Sequence, residues 1–314
     1  MICDLCPHNC DLSEGEFGKC HVRQNSNNKI ILTTYNKVST IIEGPIEDKM
    51  IYHFYPGLKI LSLGGLGCNF GCKFCQNFEI SQSNTGKTKP LTAKEAIACA
   101  LANECEGIAF AYSEPFVWYE YVCGVAELAK KANLKTILKT NGYANPIYFG
   151  KMLKLMDAVN IDIKGVPIFY RQITGVELGK NNVIFENIRQ CVSICHTEVC
   201  VLAFPTYCEL HGMASLFKGI LENTHKSLPI HILKFIPAYK SQYIIPTSDD
   251  ILDKVEQEAR KFFYYVYVEY ANRENPTLCQ KCGIVLVERS GGKVVSHLNG
   301  SKCPKCLETG PIEI

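Results

Sequence analysis

Three groups of cysteines carry the chemistry legible in this 314-residue chain. The central group is Cys68, Cys72 and Cys75, spaced C-x3-C-x2-C in "CNFGCKFC". Gly64, Gly65, Gly67 and Gly71 surround it and let the backbone wrap a bulky ligand. A [4Fe–4S] cluster ordinarily takes four cysteines, so three leave one iron open to a substrate or cofactor. The same logic separates open catalytic zinc sites from closed structural ones. The tail group pairs Cys279-x2-Cys282 with Cys303-x2-Cys306, which suits a closed tetrahedral Zn²⁺ site, with rubredoxin-like iron as the alternative. The head group is Cys3, Cys6, Cys10 and Cys20, with His8 nearby. Four ligands again suffice for a closed site, holding either zinc or an Fe–S cluster.

Eighteen cysteines in one chain point to metal rather than disulfides if the compartment is reducing. The start, "MICDLCPHNC", lacks the basic and apolar regions of a signal peptide, and no apolar run approaches membrane-spanning length. A cytoplasmic protein with no membrane partner is therefore expected. Net charge is +2 on 33 basic and 31 acidic residues, so no nucleic-acid footprint is expected either. Cys99, Cys105, Cys123, Cys191, Cys195, Cys200 and Cys208 read as small buried hydrophobes. Only Cys191, Cys195, Cys200 and Cys208 lie close enough in sequence to leave a further role open.

The elements that must position these groups alternate. "KIILTTYNKVSTIIEGP" reads as two short strands around Asn36-Lys37. Strands are then predicted at 58–63, 107–112, 134–139, 158–164, 198–204, 230–236 and 263–270. Helices are predicted over 92–105, 115–132, 146–156, 182–195, 209–223 and 248–262, two of them with start signals at Asn145-Pro146 and Ser248. Such alternation means βαβ units and a parallel sheet, as a full or partial barrel or an open doubly wound sheet. Ligands then sit beyond the C-terminal strand ends, where "GGLGCNFGCKFC", "SEP", "TNG" and Lys164-Gly165 fall. In "NIDIK", alternation puts Asn160, Asp162 and Lys164 on one face.

The central spacing, with Phe74 before the last cysteine, resembles the signature of radical S-adenosylmethionine (SAM) enzymes. "CPHNC", "LGCNFGCKFCQNFEISQ", "AYSEPFVWYEY", "KTNGYANP", "NIDIKG", "FIPAY" and the tail extend the likeness over nearly the whole chain. They resemble the AmmeMemoRadiSam-system radical SAM enzymes, themselves similar to pyruvate formate-lyase activating enzymes.

That resemblance implies an α/β fold: a partial (β/α)6 barrel over 58–271, a Cys-rich segment with short strands over 1–57, and a zinc-ribbon-like module over 272–314. It implies a [4Fe–4S] cluster on Cys68, Cys72 and Cys75, and reductive cleavage of SAM to a 5′-deoxyadenosyl radical that abstracts hydrogen from a substrate. Activation of a glycyl-radical enzyme is the alternative. Phe74, Asn77, Glu114, Thr140, Asn141, Asp162 and Lys164 are the implied SAM-binding residues, with Glu114 on the methionine ammonium and Lys164 near the carboxylate. A low-potential donor such as ferredoxin or flavodoxin, and Memo-like and AMMECR-like proteins, are the implied partners. Two departures stand out. Ile236 stands where a histidine is expected. Lys139 precedes "TNG" where the resembling activases carry a carboxylate that, with the counterpart of Asp162, holds a monovalent cation; the lysine ammonium either takes that cation's place or is a solvated strand-end group, and strand alternation leaves its direction open.

Overall fold

Seven strands run parallel in one sheet of the computed structural model, which describes residues 1–179, 182–208, 210–269 and 274–314. An antiparallel strand, β1 (Thr40–Pro45), edges this sheet beside β2 (Lys59–Gly64). After it come β3 (Gly107–Phe110), β4 (Lys135–Thr140), β5 (Ala158–Ile163), β6 (His196–Ala203), β7 (Ile230–Lys234) and β8 (Val266–Glu269). Their order in space is their order in sequence. The α/β architecture is the one expected, with one parallel strand more than six.

Helices Ala93–Ala102, Tyr119–Lys131, Pro146–Leu153, Val183–Ile194, Leu210–Glu222 and Asp249–Ala259 connect the strands. Alternation buries both sheet faces. Leu61, Leu63, Ile108, Phe110, Leu138, Val159, Ile161, Val199 and Val201 share one core with the helices. Ile60, Ala109, Ile137 and Ala158 face the other way and pack on Ile46, Ile51, Phe54 and Leu58. Residues 46–58 thus plug the barrel floor.

The two short strands expected around Asn36-Lys37 are present, and each pairs elsewhere: Ile30–Leu32 with Arg23–Asn25, and Thr40–Pro45 with the main sheet. One local expectation is corrected. Asn145 caps its helix by accepting from the Ile147 N–H, but Ser248 stands at the cap position without a side-chain cap bond. A capping box at Thr92 and Glu95 went unread.

The head folds back along the barrel mouth. Ile2–Cys3 pairs with Cys10–Asp11, and Arg23 grips Glu120 with both guanidinium nitrogens. The tail forms a three-stranded antiparallel sheet, Thr277–Leu278, Val285–Ser290 and Lys293–Ser296, around Cys279, Leu286, Val287, Cys303 and Ile312. It docks beneath the floor, where Arg289 donates to the Tyr52 carbonyl at 2.6 Å and Glu313 bridges to Phe54. The sequence boundary at 57/58 is therefore crossed in space, since β1 and the plug belong to the barrel; the boundary at 271/272 lies outside the described residues.

Candidate active site

The loop after β2 carries the three central cysteines and is tied down at four points. The Gly67 N–H donates to the Ile80 carbonyl, the Gly71 N–H to Thr174, the Lys73 N–H to Ile173, and the Gln82 side-chain amide to Phe70. Gly67 sits at φ +85, and a Cβ there would lie 2.4 Å from the Cys20 carbonyl oxygen, so this turn tolerates no side chain. Around the sulfurs, the Phe70 N–H and the Asn141 side-chain amide donate to Cys68 at 3.3 and 3.9 Å, and Cys75 lies 3.1 Å from the Ser81 hydroxyl.

All three cysteines open on one cavity of about 420 Å³ at the C-terminal strand ends, together with Glu114, Lys139, Asp162, Lys164, Phe235 and Ile236. Glu114 follows β3 and is buried at 2% exposure. One carboxylate oxygen accepts from the Phe116 N–H at 3.0 Å and the Thr140 hydroxyl at 2.6 Å; the other accepts from the Asn141 N–H at 2.8 Å. Its partners among the described residues are all neutral donors. Burial outweighs these bonds and pushes the carboxyl up to about 7.

Asp162 has the opposite environment. Lys139 donates to one of its oxygens at 2.9 Å and Lys164 to the other at 3.0 Å. Burial pushes this carboxyl up, but the two ammonium groups outweigh it and hold it well below the usual range. Lys139 also donates to Asn160 at 2.9 Å and approaches the Cys200 sulfur at 3.5 Å, so its side chain points inward, which strand alternation alone left open. Cys200 thus packs under the cavity beside a charge, whereas Cys191 is a buried apolar core residue and Cys195 and Cys208 pack against that core.

The remaining expected residues divide by role. Thr140 and Asn141 orient Glu114, and the Asn141 amide also holds the Asn69 side chain at 2.8 Å. Asn77 reaches across to the Tyr112 carbonyl at 2.9 Å. Phe74 packs against Phe169, Phe204 and Phe235 on one wall. Ile236 is exposed on the rim. The sequence reading missed Asp48, Lys49 and Met50 of the plug, which line the same cavity, with Lys49 donating to the Tyr112 hydroxyl at 3.2 Å. No motif marks them; the charged stretch Glu47-Asp48-Lys49 ahead of an apolar run was the one available signal.

The tail cysteines converge tightly. Cys279 and Cys306 sulfurs lie 3.5 Å apart, those of Cys282 and Cys303 3.6 Å apart. Among the described residues this is the one set of three or more Cys, His, Asp or Glu ligand atoms gathered within 4.8 Å of one another. In the head group, Cys3 faces Cys10 across a strand pair, and the Cys10 and Cys20 sulfurs flank Gly18.

Comparison with known proteins agrees with this geometry. The sequence profile of the Radical SAM superfamily matches residues 63–214. An uncharacterized protein of Methanocaldococcus jannaschii is 32% identical over 98% of this chain and 93% of its own length. The 4-hydroxyphenylacetate decarboxylase activating enzyme of Clostridioides difficile is 26% identical over 55% of this chain and 58% of its own. Among solved structures, a radical SAM methyltransferase from Sphaerobacter thermophilus shares the fold at TM-score 0.53 and 16% identity, covering 70% of this chain and 68% of that one. SuiB of Streptococcus suis, bound to S-adenosylmethionine, does so at 0.52 and 12%, covering 72% and 53%. Residues 63–214 match the radical SAM superfamily, and the chain is an enzyme of that class. The fold implies a [4Fe–4S] cluster and SAM, and three thiols beside a buried, cation-free carboxylate fit that pair.

Proposed function

We propose that this enzyme binds SAM with its ammonium on Glu114 and its carboxylate near Lys164, beside a [4Fe–4S] cluster held by Cys68, Cys72 and Cys75. The observation that carries this reading is Glu114 itself. A buried carboxylate with three donors and no countercharge, open to the cysteine-lined cavity, is a receptor for a cation. When bound, the cluster and SAM supply a 5′-deoxyadenosyl radical that takes a hydrogen atom from the substrate. The chain's own residues prepare that event. Asn141 and the Phe70 N–H donate to the Cys68 sulfur, and such bonds tune the potential of a cluster. Asp162 fixes Lys164, and the Phe74–Phe169–Phe204–Phe235 wall keeps water from a reactive species.

The finer parts of the reading rest on the sequence alone. They are membership of the AmmeMemoRadiSam system, a cytoplasmic location, a ferredoxin- or flavodoxin-type donor, Memo-like and AMMECR-like partners, structural zinc on the four tail cysteines, and a tail module divided off at 271/272. A second reading, activation of a glycyl-radical enzyme, is favoured by the identity to the decarboxylase activating enzyme. Neighbouring genes for Memo-like and AMMECR-like proteins support the first; a neighbouring glycyl-radical enzyme that gains a glycyl radical signal on mixing supports the second.

The decisive experiment is anaerobic reconstitution followed by quantification of 5′-deoxyadenosine. Wild type is expected to cleave SAM, and the Cys68→Ala/Cys72→Ala/Cys75→Ala variant to lose cleavage completely. Persistent cleavage in that variant overturns the reading.

A further inference from the structure

The head cysteines are arranged unlike the tail cysteines. A mononuclear tetrahedral thiolate site has Zn–S bonds near 2.3 Å, which places its sulfurs about 3.8 Å apart. The tail thiols already stand at 3.5 and 3.6 Å, as such a site requires. No three of the head thiols are gathered within 4.8 Å of one another. Cys3 and Cys10 are partners across an antiparallel pair, and Cys6 lies in the turn between them, within electrostatic reach of Cys3, Cys10 and Cys20. The Cys10 and Cys20 sulfurs lie 3.6 and 3.8 Å from where a Gly18 Cβ would be, and glycine at 18 keeps the space between them clear. Cys3 and Cys20 are buried, and Arg23, whose charge is paired with Glu120, lies beside both. Four thiols around a gap, no three of them gathered within 4.8 Å as the tail thiols are, suit a cube of iron and sulfide better than a single metal ion. The central cysteines, which belong to a family that holds such a cube, likewise form no such tight set.

The head also touches the central site on both sides of Cys68. His8, in the turn between Cys6 and Cys10, donates from Nε2 to the Asn69 carbonyl at 2.8 Å. The Cys20 carbonyl packs directly on Gly67. Gly67 and Asn69 are the two chain neighbours of Cys68. We propose that Cys3, Cys6, Cys10 and Cys20 hold a second [4Fe–4S] cluster, and that it is the port through which electrons reach the Cys68 centre. A one-electron carrier of the ferredoxin or flavodoxin class is oxidised, the head cluster is reduced, and it is reoxidised as the central cluster takes the same electron; no bond forms and no proton moves.

The test uses the full chain, reconstituted anaerobically with iron and sulfide. Wild type is expected to carry about eight irons, two clusters of four, and about one zinc. The Cys68→Ala/Cys72→Ala/Cys75→Ala variant should retain about four irons and a reduced-cluster EPR signal. Cys3→Ser/Cys20→Ser should also retain about four, which shows that the barrel has folded, and its EPR signal should still respond to SAM. In that variant, stopped-flow reduction of the central cluster by reduced flavodoxin should slow at least tenfold, while dithionite reduction keeps its wild-type rate. An iron-free central variant, or a wild type with about four irons and two zincs, overturns the second cluster. Unchanged flavodoxin kinetics in Cys3→Ser/Cys20→Ser overturn the electron port. The head variant's SAM-responsive signal reports on the Cys68 site and the central variant's iron on the head, so failure here is distinct from failure of the proposed function.

Discussion

The floor and the mouth of the barrel each bury a carboxylate, and the two are satisfied in opposite ways. At the floor, Glu198 accepts from the Tyr52 and His53 N–H groups at 2.8 and 2.7 Å and is bonded by His196 and His231 at 2.9 and 2.6 Å. Burial pushes its carboxyl up, but the two histidines outweigh burial and hold it well below the usual range. His231 continues to Glu269, and His53 to Tyr267. At the mouth, Glu114 has donors but no cation. A closed network specifies and locks a structure. An incomplete one is held in place by the fold for something that arrives later, and that difference separates scaffold from site here.

The largest effect should come from breaking the floor. Glu198→Gln leaves two buried histidines short of their charge partner, a change expected to cost about 3–5 kcal/mol. The corresponding fall in Tm is roughly 10 °C, measurable by calorimetry. A wild-type Tm would show that the floor is not a stabilising lock.

Glu114→Gln should do the reverse. Removing an uncompensated buried charge leaves the Tm equal or higher, while SAM binding weakens about tenfold to a hundredfold, the worth of one charge-assisted bond. Scanning calorimetry reads the Tm and titration calorimetry the affinity; unaltered SAM affinity would refute the assignment. A pH series sharpens the point. The folded carboxyl holds its proton to about 7, above the ordinary 4.5, so its contribution to stability is full below 4.5 and is lost as pH rises through 7. SAM needs the anion, so its affinity should rise over that window. Binding that is flat between pH 5.5 and 8 contradicts this.

Cys279→Ala should remove about one metal equivalent and loosen the tail while leaving the visible spectrum of the mouth cluster intact. Wild type without any metal besides iron would end the zinc reading. The smallest expected effect is none at all. With Lys139 already neutralising Asp162, SAM cleavage should proceed equally in sodium, potassium or choline, and Lys139→Asp should introduce a dependence on the cation. A wild-type requirement for potassium would rule this out.

The mouth was more legible in sequence than the floor. Alternation through "NIDIK" was enough to put Asn160, Asp162 and Lys164 on one face, and "SEP" and "TNG" marked the strand ends that meet at Glu114. Strand limits read from composition lie close to the observed ones except at the eighth strand, which begins at Val266 rather than at 263. The floor was opaque because its partners are remote: Tyr52, Glu198 and His231 belong to separate elements and share no spacing. One signal was overlooked. β6 begins at His196, and its polar residues His196, Glu198 and Cys200 alternate as those of "NIDIK" do. Placing the strand start at 198 cut the pattern in half. The plug was missed because its apolar residues, Ile46, Ile51, Phe54 and Leu58, follow neither period and are interrupted by charges, so the pattern could not say which surface they cover.

The lock beneath the barrel sets an order of assembly. The plug residues Tyr52 and His53 are made early, yet the Tyr52 carbonyl is bonded by Arg289, and the His53 carbonyl by the Glu313 N–H at 2.9 Å. Glu313 also reaches His196 at 3.4 Å. On the ribosome, the parallel strands are therefore complete while the floor still lacks its last donors, and the barrel closes from beneath only when residues 289–313 have emerged.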